Sequence, residues 1–514
     1  MEIQDVQQGG DSELTADGDH DSVAAWAWEE LLNPKRRKEI ARSTDTSNNE
    51  ASAAKDASGR KEVRTAIERD HDRILFSTPV RRLADKTQVF PLDKNDSVRD
   101  RLTHSIEVSN LARSFGTILA ERLDVSGFPT AHRDLPALCA AIGLVHDLGN
   151  PPFGHQGEAA IQHWFASNPR LISTLTEAQR RDFSSFEGNA QGFRLVTKLQ
   201  LLNDNYGLDL TYASLAAMMK YPVQSCDVSD KKCASKKHGF FQSEKPIAEE
   251  VMKAVGLDLG RRHPLAYAME ACDDIAYCVF DAEDCIKKGL ASISDLHEWL
   301  KHECRVDGKD DELVFALVKF SEKKTGEYRA RGEFSPSELN DISMQRFRAE
   351  AIGLFMDSAV SAFVKGQEKF ADGTESRSLL DLSAAKALRK CLKSFSLKHG
   401  YTHRSVLKVE LTGFNVINRL MDMFWAAITD RESFDDPKSK RKHPFTRLAY
   451  ERISENYRRA FENPQGASAD LPMRYREAQL LTDMIAGMTD SFAMDLCEEL
   501  EGVIGDFSLQ CYKE

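Results

Sequence analysis

The chain has 514 residues, 41% of them hydrophobic, and a formal net charge of −12. That length supports a large core. The acidic balance excludes a general nucleic-acid coat, whose affinity comes from Lys and Arg neutralising phosphates.

No apolar run reaches the roughly 20 residues that a membrane span needs. The acidic N-terminus lacks the apolar segment of a secretory signal. The 10 cysteines are scattered, several of them inside apolar helical pattern (Cys139, Cys272, Cys278), as buried thiols of a reducing compartment are. A cytoplasmic protein is expected.

Residues 1–20 read as disordered. The stretch WAWEELLNP then offers a short apolar anchor, and the small, polar 35–60 segment reads as loop or partly disordered. Ordered helix is expected from about Glu62. From there apolar residues recur at spacings of three and four with few β-branched runs, which predicts an all-α fold. No Rossmann glycine fingerprint, P-loop or internal repeat is present, and no clean linker separates two domains. The expected division is a largely disordered extension (1–60), a catalytic core (61–300) and a helical region (301–514). The last is expected to pack on the core, completing the site and the oligomer contacts.

Smaller features are read in the same way. Cys226 and Cys233 flank a Lys-rich loop but lack a second pair for a zinc knuckle. Segment 406–428 is expected to open with a short strand or turn before continuing as helix. The charged stretch around 435–445 reads as loop. Its Lys438, Lys440, Arg441 and Lys442 are the one composition-based candidate for nucleic-acid contact, set against a plain solvated charge run.

Metal-type ligands concentrate in three places. His104 lies in RLTHSIEV, near the start of a helix whose apolar stripe is Leu102, Ile106, Leu111, Phe115 and Leu119. His146 and Asp147 end the apolar helix LPALCAAIGLVHDLGN, where Gly149, Pro151 and Pro152 stop it. Asp273 lies on a helix from about Pro264 to Gly289, on one face with Tyr277 and Asp281 at i, i+4 and i+8. A solvent-facing reading suits Asp281. It suits Asp273 and Tyr277 less, because they sit among apolar residues and a buried carboxylate needs a partner or a metal. Two imidazoles and two carboxylates make a mixed N/O set that suits Mn²⁺, Fe²⁺, Co²⁺ or Zn²⁺, with Mg²⁺ recruited alongside phosphates. Such an ion polarises a phosphorus centre.

His155 and Glu158 follow the Pro-Pro turn one helical turn apart. A carboxylate beside a histidine fixes its tautomer and raises its basicity. The competing reading is a Glu that caps its own helix. Gly157 between them is expected to leave room for a substrate. Arg101, Lys220 and Tyr221 offer groups for phosphate oxygens.

At these residues the chain resembles the bacterial deoxyguanosine triphosphate triphosphohydrolases of the HD superfamily. The stretches that carry the resemblance are RRLADKTQVFPLDKNDSVRDRLTHSIEV (81–108), HDLGNPPFGHQGEAAI (146–161), FEGNAQGFRLV (186–196), MEACDDIAYCVFDAEDC (269–285) and IAGMTDSF (485–492). The resemblance implies an HD-type helical fold and one divalent ion, Mn²⁺ or Mg²⁺, on His104, His146, Asp147 and Asp273. It implies hydrolysis of a deoxynucleoside triphosphate at the α-phosphorus, giving deoxynucleoside and intact triphosphate.

The family pattern makes His155 and Glu158 the catalytic pair and puts Arg101, Lys220 and Tyr221 at the phosphates. Gln88 and Asp281 read the 3′-hydroxyl, Tyr277 packs on the sugar, and Asn189 lines the site. It further implies a homo-oligomer, often a hexamer built from dimers, and in some members a nucleotide or single-stranded DNA effector. Two enzyme alternatives stand beside dGTP hydrolysis: a broad dNTPase, and another HD-type nucleotide phosphohydrolase. A nucleotide- or DNA-binding regulator is the non-enzymatic one. The segment 222–245 is shorter than the family pattern and lies next to the Lys220-Tyr221 motif.

Overall fold

In the computed structural model, which describes residues 28–44, 62–90, 98–123, 128–200, 205–306, 309–371, 373 and 375–512, the helical periodicity becomes helices almost throughout. The only strands among the described residues are the two-residue antiparallel pair Arg305–Val306 and Lys309–Asp310. The expected disorder of residues 1–20 and of 45–60 falls outside the described residues.

The apolar anchor expected in WAWEELLNP is present, but order continues past it into the segment read as loop, before Glu62. Helices Trp28–Leu31 and Arg37–Thr44 precede it. Trp28, Leu31 and Leu32 are buried, and Asn33 Nδ2 donates to the Ala254 carbonyl at 2.7 Å. Arg36 pairs with buried Asp70 at 2.7 Å. The polar composition of this stretch reflects ion pairs to distant residues rather than an unpacked chain.

Two other local readings change. Arg404–Thr429 is one continuous helix with no opening strand. Gly413, Ile417, Leu420, Met421, Phe424 and Ile428 repeat at helical spacing and are buried, and that burial outweighs the β-branched residues near its start. Cys139, Cys272 and Cys278 are buried and free, as expected, but Cys304 and Cys391 form a disulfide. The end of helix Ile293–Glu303 meets helix Lys386–Ser396 there, with Cα atoms 5.9 Å apart.

The part that positions the site is a crossing of two helices. Asp100 caps helix Arg101–Arg122 by accepting from Thr103 N at 2.7 Å. Its buried face runs through His104, Ser105, Val108, Leu111, Ala112, Phe115 and Leu119, while Ile106, placed on the apolar stripe by its spacing, is 48% exposed. Helix Ala131–Val145 packs across it. A Cβ at Gly143 would stand 2.9 Å from Ser109 Cα, so only glycine lets the backbones come this close. Ser109 Oγ fastens the crossing by donating to the Ala140 carbonyl at 2.8 Å. Helix Pro264–Lys287 packs against both. His104, His146 and Asp273 therefore arrive from three helices at one place.

Candidate active site

His104 is 1% exposed, and its Nε2 lies 3.3 Å from Asp273 Oδ1. His146 Nε2 lies 3.5 Å from the same oxygen. The ligand atoms of His104, His146 and Asp273 all fall within 4.8 Å of one another. Bonds of about 2.1 Å to a common ion put neighbouring ligand atoms about 3.0–3.4 Å apart. The donors therefore fit a divalent cation. His146 Nδ1 stands 2.7 Å from the Gly143 carbonyl, and donation to that oxygen leaves the Nε2 lone pair facing the cradle. His146 Nε2 is buried with no hydrogen-bond partner, as a ligand atom is.

Electrostatics agree with the geometry. Burial works against a charged His146, yet the Asp147 and Asp273 carboxylates outweigh it and hold the imidazole up to about 9. Asp273 is itself held well below the usual carboxylate range; His146 and His104 overcome the effect of burial there. A hollow that draws a proton this strongly is one that a cation fills.

Asp147 stands at the rim of this cradle. Its Oδ1 is 3.5 Å from His146 Nε2, while Asn150 Nδ2 donates to that oxygen at 2.7 Å and Arg101 Nη1 pairs with Oδ2. Arg101, expected at substrate phosphates, is buried and also donates to the Thr87 carbonyl at 2.8 Å. Its charge is spent on a candidate ligand.

His155 and Glu158 form the expected pair, Nδ1 to Oε2 at 3.1 Å. The His155 side chain is 82% exposed and that of Glu158 is 8%. Glu158 does not cap its own helix. Its Oε1 instead accepts from Gly188 N at 2.8 Å, so the FEGNAQG segment holds it. The Glu158 hydrogen bond raises the His155 pKa. Gly157 does not leave space for a substrate: a Cβ there would overlap the Pro152 carbonyl oxygen. Its role is to let the helix close onto the preceding turn.

Three further residues complete this corner, and sequence reasoning passed over them. Lys237, from the 222–245 segment, lies with Nζ 2.6 Å from Glu187 Oε1 and 4.0 Å from Glu158 Oε2. Glu187 is pushed up to about 7 by burial and by Glu158, and Asn189 Nδ2 donates to its Oε2 at 3.2 Å. Asp490, in the IAGMTDSF stretch, accepts from Phe153 N and Thr87 N, each at 2.9 Å. It ties the Pro-Pro-Phe turn to the segment before His104.

Lys220 Nζ lies 3.5 Å from Asp273 Oδ2 and 3.6 Å from Glu270 Oε1. Burial opposes its charge, but Tyr221, Glu270 and Asp273 keep it protonated well above the usual lysine range. The Tyr221 ring centroid is 5.9 Å from Lys220 Nζ and 5.6 Å from the Arg262 guanidinium. Gln88 Oε1 is buried and unpartnered. Tyr277 stacks on Tyr401 with ring centroids 5.7 Å apart and planes 15° apart, and the Tyr401 hydroxyl donates to Asp281. Asp281 is 1% exposed, against its solvent-facing reading, because Tyr401 arrives from a distant part of the chain to cover it. Nothing in the sequence around Tyr401 marks it.

Two weaker candidates are narrowed: Lys438, Lys440 and Lys442 of the basic loop are exposed, but its fourth cation is not. Arg441, counted in the basic loop, is buried and donates to the Ala427 and Ser439 carbonyls at 3.2 and 2.9 Å. It braces the loop from inside and offers no charge to nucleic acid. Cys226 and Cys233 join no group of metal ligands among the described residues. No helix among the described residues is long and apolar enough to cross a membrane.

Comparison with known proteins agrees with this architecture. Residues 101–211 match the HD domain family model, a span that holds His104, His146, Asp147, His155 and Glu158. The chain is 38% identical over 495 residues to a deoxyguanosinetriphosphate triphosphohydrolase-like protein of Listeria innocua, covering 93% of this chain and 99% of the relative. It is 33% identical over 462 residues to one of Synechocystis, covering 86% and 94%. It is 30% identical over 485 residues to the deoxyguanosinetriphosphate triphosphohydrolase of Yersinia pestis, covering 84% and 93%. With the histidine–aspartate cradle and relatives matched nearly end to end, the chain belongs to the deoxyguanosinetriphosphate triphosphohydrolase family of the HD superfamily.

Proposed function

We propose that this dNTP triphosphohydrolase acts on dGTP in preference to other deoxynucleotides. It breaks the bond at the α-phosphorus to release deoxyguanosine and intact triphosphate. The observation that carries the reading is the convergence of His104, His146 and Asp273 within 4.8 Å, in a chain of this family. One divalent ion held there with Asp147, Mn²⁺ or Mg²⁺ by the N/O donor set, would supply Lewis-acid polarisation of the phosphorus centre. Fe²⁺, Co²⁺ and Zn²⁺ suit the same donors.

The chain's own residues supply the rest. Glu158 accepts from His155 Nδ1 and so presents Nε2 to the substrate, where it moves the proton of the attacking water or of the leaving 5′-oxygen. The exposure of His155 suits a group that meets an incoming substrate. Lys220 and Lys237 neutralise phosphate oxygens, and Tyr221 hydrogen-bonds them. Arg101, held by Asp147 and the Thr87 carbonyl, reaches the phosphates only if substrate binding frees part of its fork. The Tyr277 ring, braced by Tyr401, closes the volume that a ribose 2′-hydroxyl would need. Gln88 and Asp281 bond the 3′-hydroxyl, and the unpartnered Gln88 Oε1 is open to such a donor. Loss of that hydroxyl would leave buried polar atoms unpaired and so disfavour dideoxy analogues. Asn189 lines the same face through Glu187.

Product analysis with the four dNTPs and the four NTPs, in Mn²⁺ and in Mg²⁺, tests the reading. Deoxyguanosine and inorganic triphosphate are expected, with ribonucleotides left intact. Recovery of monophosphate and pyrophosphate would overturn cleavage at the α-phosphorus. Equal rates on all dNTPs would remove the base preference.

A further inference from the structure

Two buried acids stand within reach of one cation at the His155 corner. Glu158 and Glu187 are 6% and 7% exposed. Lys237 Nζ lies 2.6 Å from Glu187 Oε1 and 4.0 Å from Glu158 Oε2. The longer distance matters, because Glu158 Oε2 is the oxygen beside His155 Nδ1, at 3.1 Å. The other oxygen, Oε1, is committed to Gly188 N at 2.8 Å. An ammonium that closed to the roughly 2.8 Å of a charged hydrogen bond would compete with the imidazole for Oε2.

The main chain next to Lys237 is fixed. His238 is 1% exposed, with its ring centroid 5.8 Å from that of Phe241. Gly239 N donates to the Val223 carbonyl at 3.1 Å, and a Cβ at Gly239 would overlap the Tyr221 carbonyl oxygen. The lysine head is freer, on a flexible four-carbon stem, and the two acids decide where it rests. Burial and Glu158 push Glu187 up to about 7, while Lys237 and the Asn189 amide pull it down. A buried carboxylate is costly unless it is paired, so Glu187 and Lys237 stabilise each other. His155 in turn faces Glu158, which raises its pKa, and Lys237 and Arg101, which lower it.

We infer that Glu187 is a positioning residue for the reaction: it holds the Lys237 ammonium off Glu158, which leaves Oε2 to orient His155 and keeps the cation poised for a substrate phosphate. Glu187 acts through Lys237. The inference rests on the reading of His155 and Glu158 as the reacting pair.

The test is steady-state hydrolysis of dGTP in Mn²⁺ by the full-length protein, followed as inorganic triphosphate released across a range of pH. In Glu187→Gln the shape of the side chain stays and its charge goes. Lys237 should then turn to Glu158. We expect kcat to fall about tenfold or more, with KM changed less. The limb of the pH–rate curve that belongs to His155 should move to lower pH, because the Glu158 hydrogen bond that raises it is shared. Glu187→Asp keeps the charge on a shorter stem and should retain more turnover than Glu187→Gln. A merely structural side chain would give the reverse order, since glutamine matches glutamate in size. Lys237→Met should raise KM through the lost phosphate contact. On that background Glu187→Gln should have no further effect on kcat or on the limb, because no lysine is left to misplace. Thermal melts and metal content check that each variant is folded and loaded. The inference is overturned if Glu187→Gln keeps the parent kcat and pH profile, if it outperforms Glu187→Asp, or if its effect is the same size with and without Lys237. Full turnover in His155→Ala would overturn the underlying reading as well; loss of turnover there beside a silent Glu187→Gln overturns this inference alone.

Discussion

The histidine cradle and the His155 corner sit on consecutive helices yet are built in opposite ways. In the cradle, His104 is 1% exposed and each imidazole is fixed by the crossing of two long helices. His146 is oriented by a carbonyl three residues earlier in its own chain. At the corner the His155 side chain is 82% exposed; Glu158, one helical turn on, orients it, and what holds Glu158 and the turn comes from outside that helix. Gly188 holds Glu158, Glu187 holds Lys237, and Asp490 holds the turn. The ion cradle is therefore set by buried packing among three helices, whereas the exposed reactive pair depends on loops and turns that reach it from outside its own helix.

Asp273→Ala breaks the cradle outright. Metal content by elemental analysis and turnover should both fall to background; a variant that kept its metal would show that Asp273 is no ligand. His155→Ala should separate the two regions most clearly. Turnover is expected to drop about 10²–10⁴-fold, with metal content and melting temperature unchanged. Asn150→Ala removes the donor to Asp147 Oδ1. Metal affinity, read by titration against a competing chelator, should weaken about 10–100-fold.

Gly143→Ala tests the helix crossing itself. The new methyl would meet Ser109 Cα at 2.9 Å, and denaturant unfolding should show a loss of about 1–3 kcal/mol. The smallest effect is a displaced pH profile. Because the Glu158 hydrogen bond raises His155, its proton persists to higher pH than on a free imidazole. In Glu158→Gln that support is gone, so the limb of the pH–rate curve that belongs to His155 should move to lower pH. The direction is the same whether His155 acts as acid or base, and a limb that stays in place would mean that Glu158 does not set it.

The contrast also explains what was legible in the sequence. His146 and Asp147 could be read because they adjoin a helix stop, and Asp273 because a carboxylate among Met269, Ala276 and Val279 needs a reason. His155 and Glu158 are one helical turn apart, so their pairing follows from spacing alone. Lys237 could not be read. It lies in a loop of many lysines, DKKCASKKHG, and only the folded path of that loop brings this one to Glu187. Tyr401 and Asp490 are linked to the site by contacts across more than a hundred residues, which no local periodicity encodes. The apolar anchor at Trp28 could be read from WAWEELLNP, but the helix at Arg37 was hidden for the same reason: Asp70, the partner of Arg36, lies elsewhere. Composition misled at Arg441, because a guanidinium that satisfies backbone carbonyls inside the fold looks, on paper, like any surface cation.

Asp490 stands 337 residues after Phe153, yet its carboxylate braces the turn that presents His155. It lies far outside the 101–211 span that matches the HD domain. The seat of the reactive histidine is therefore shared between that span and a distant helix, so the HD segment by itself holds the residues of the pair without holding them in place.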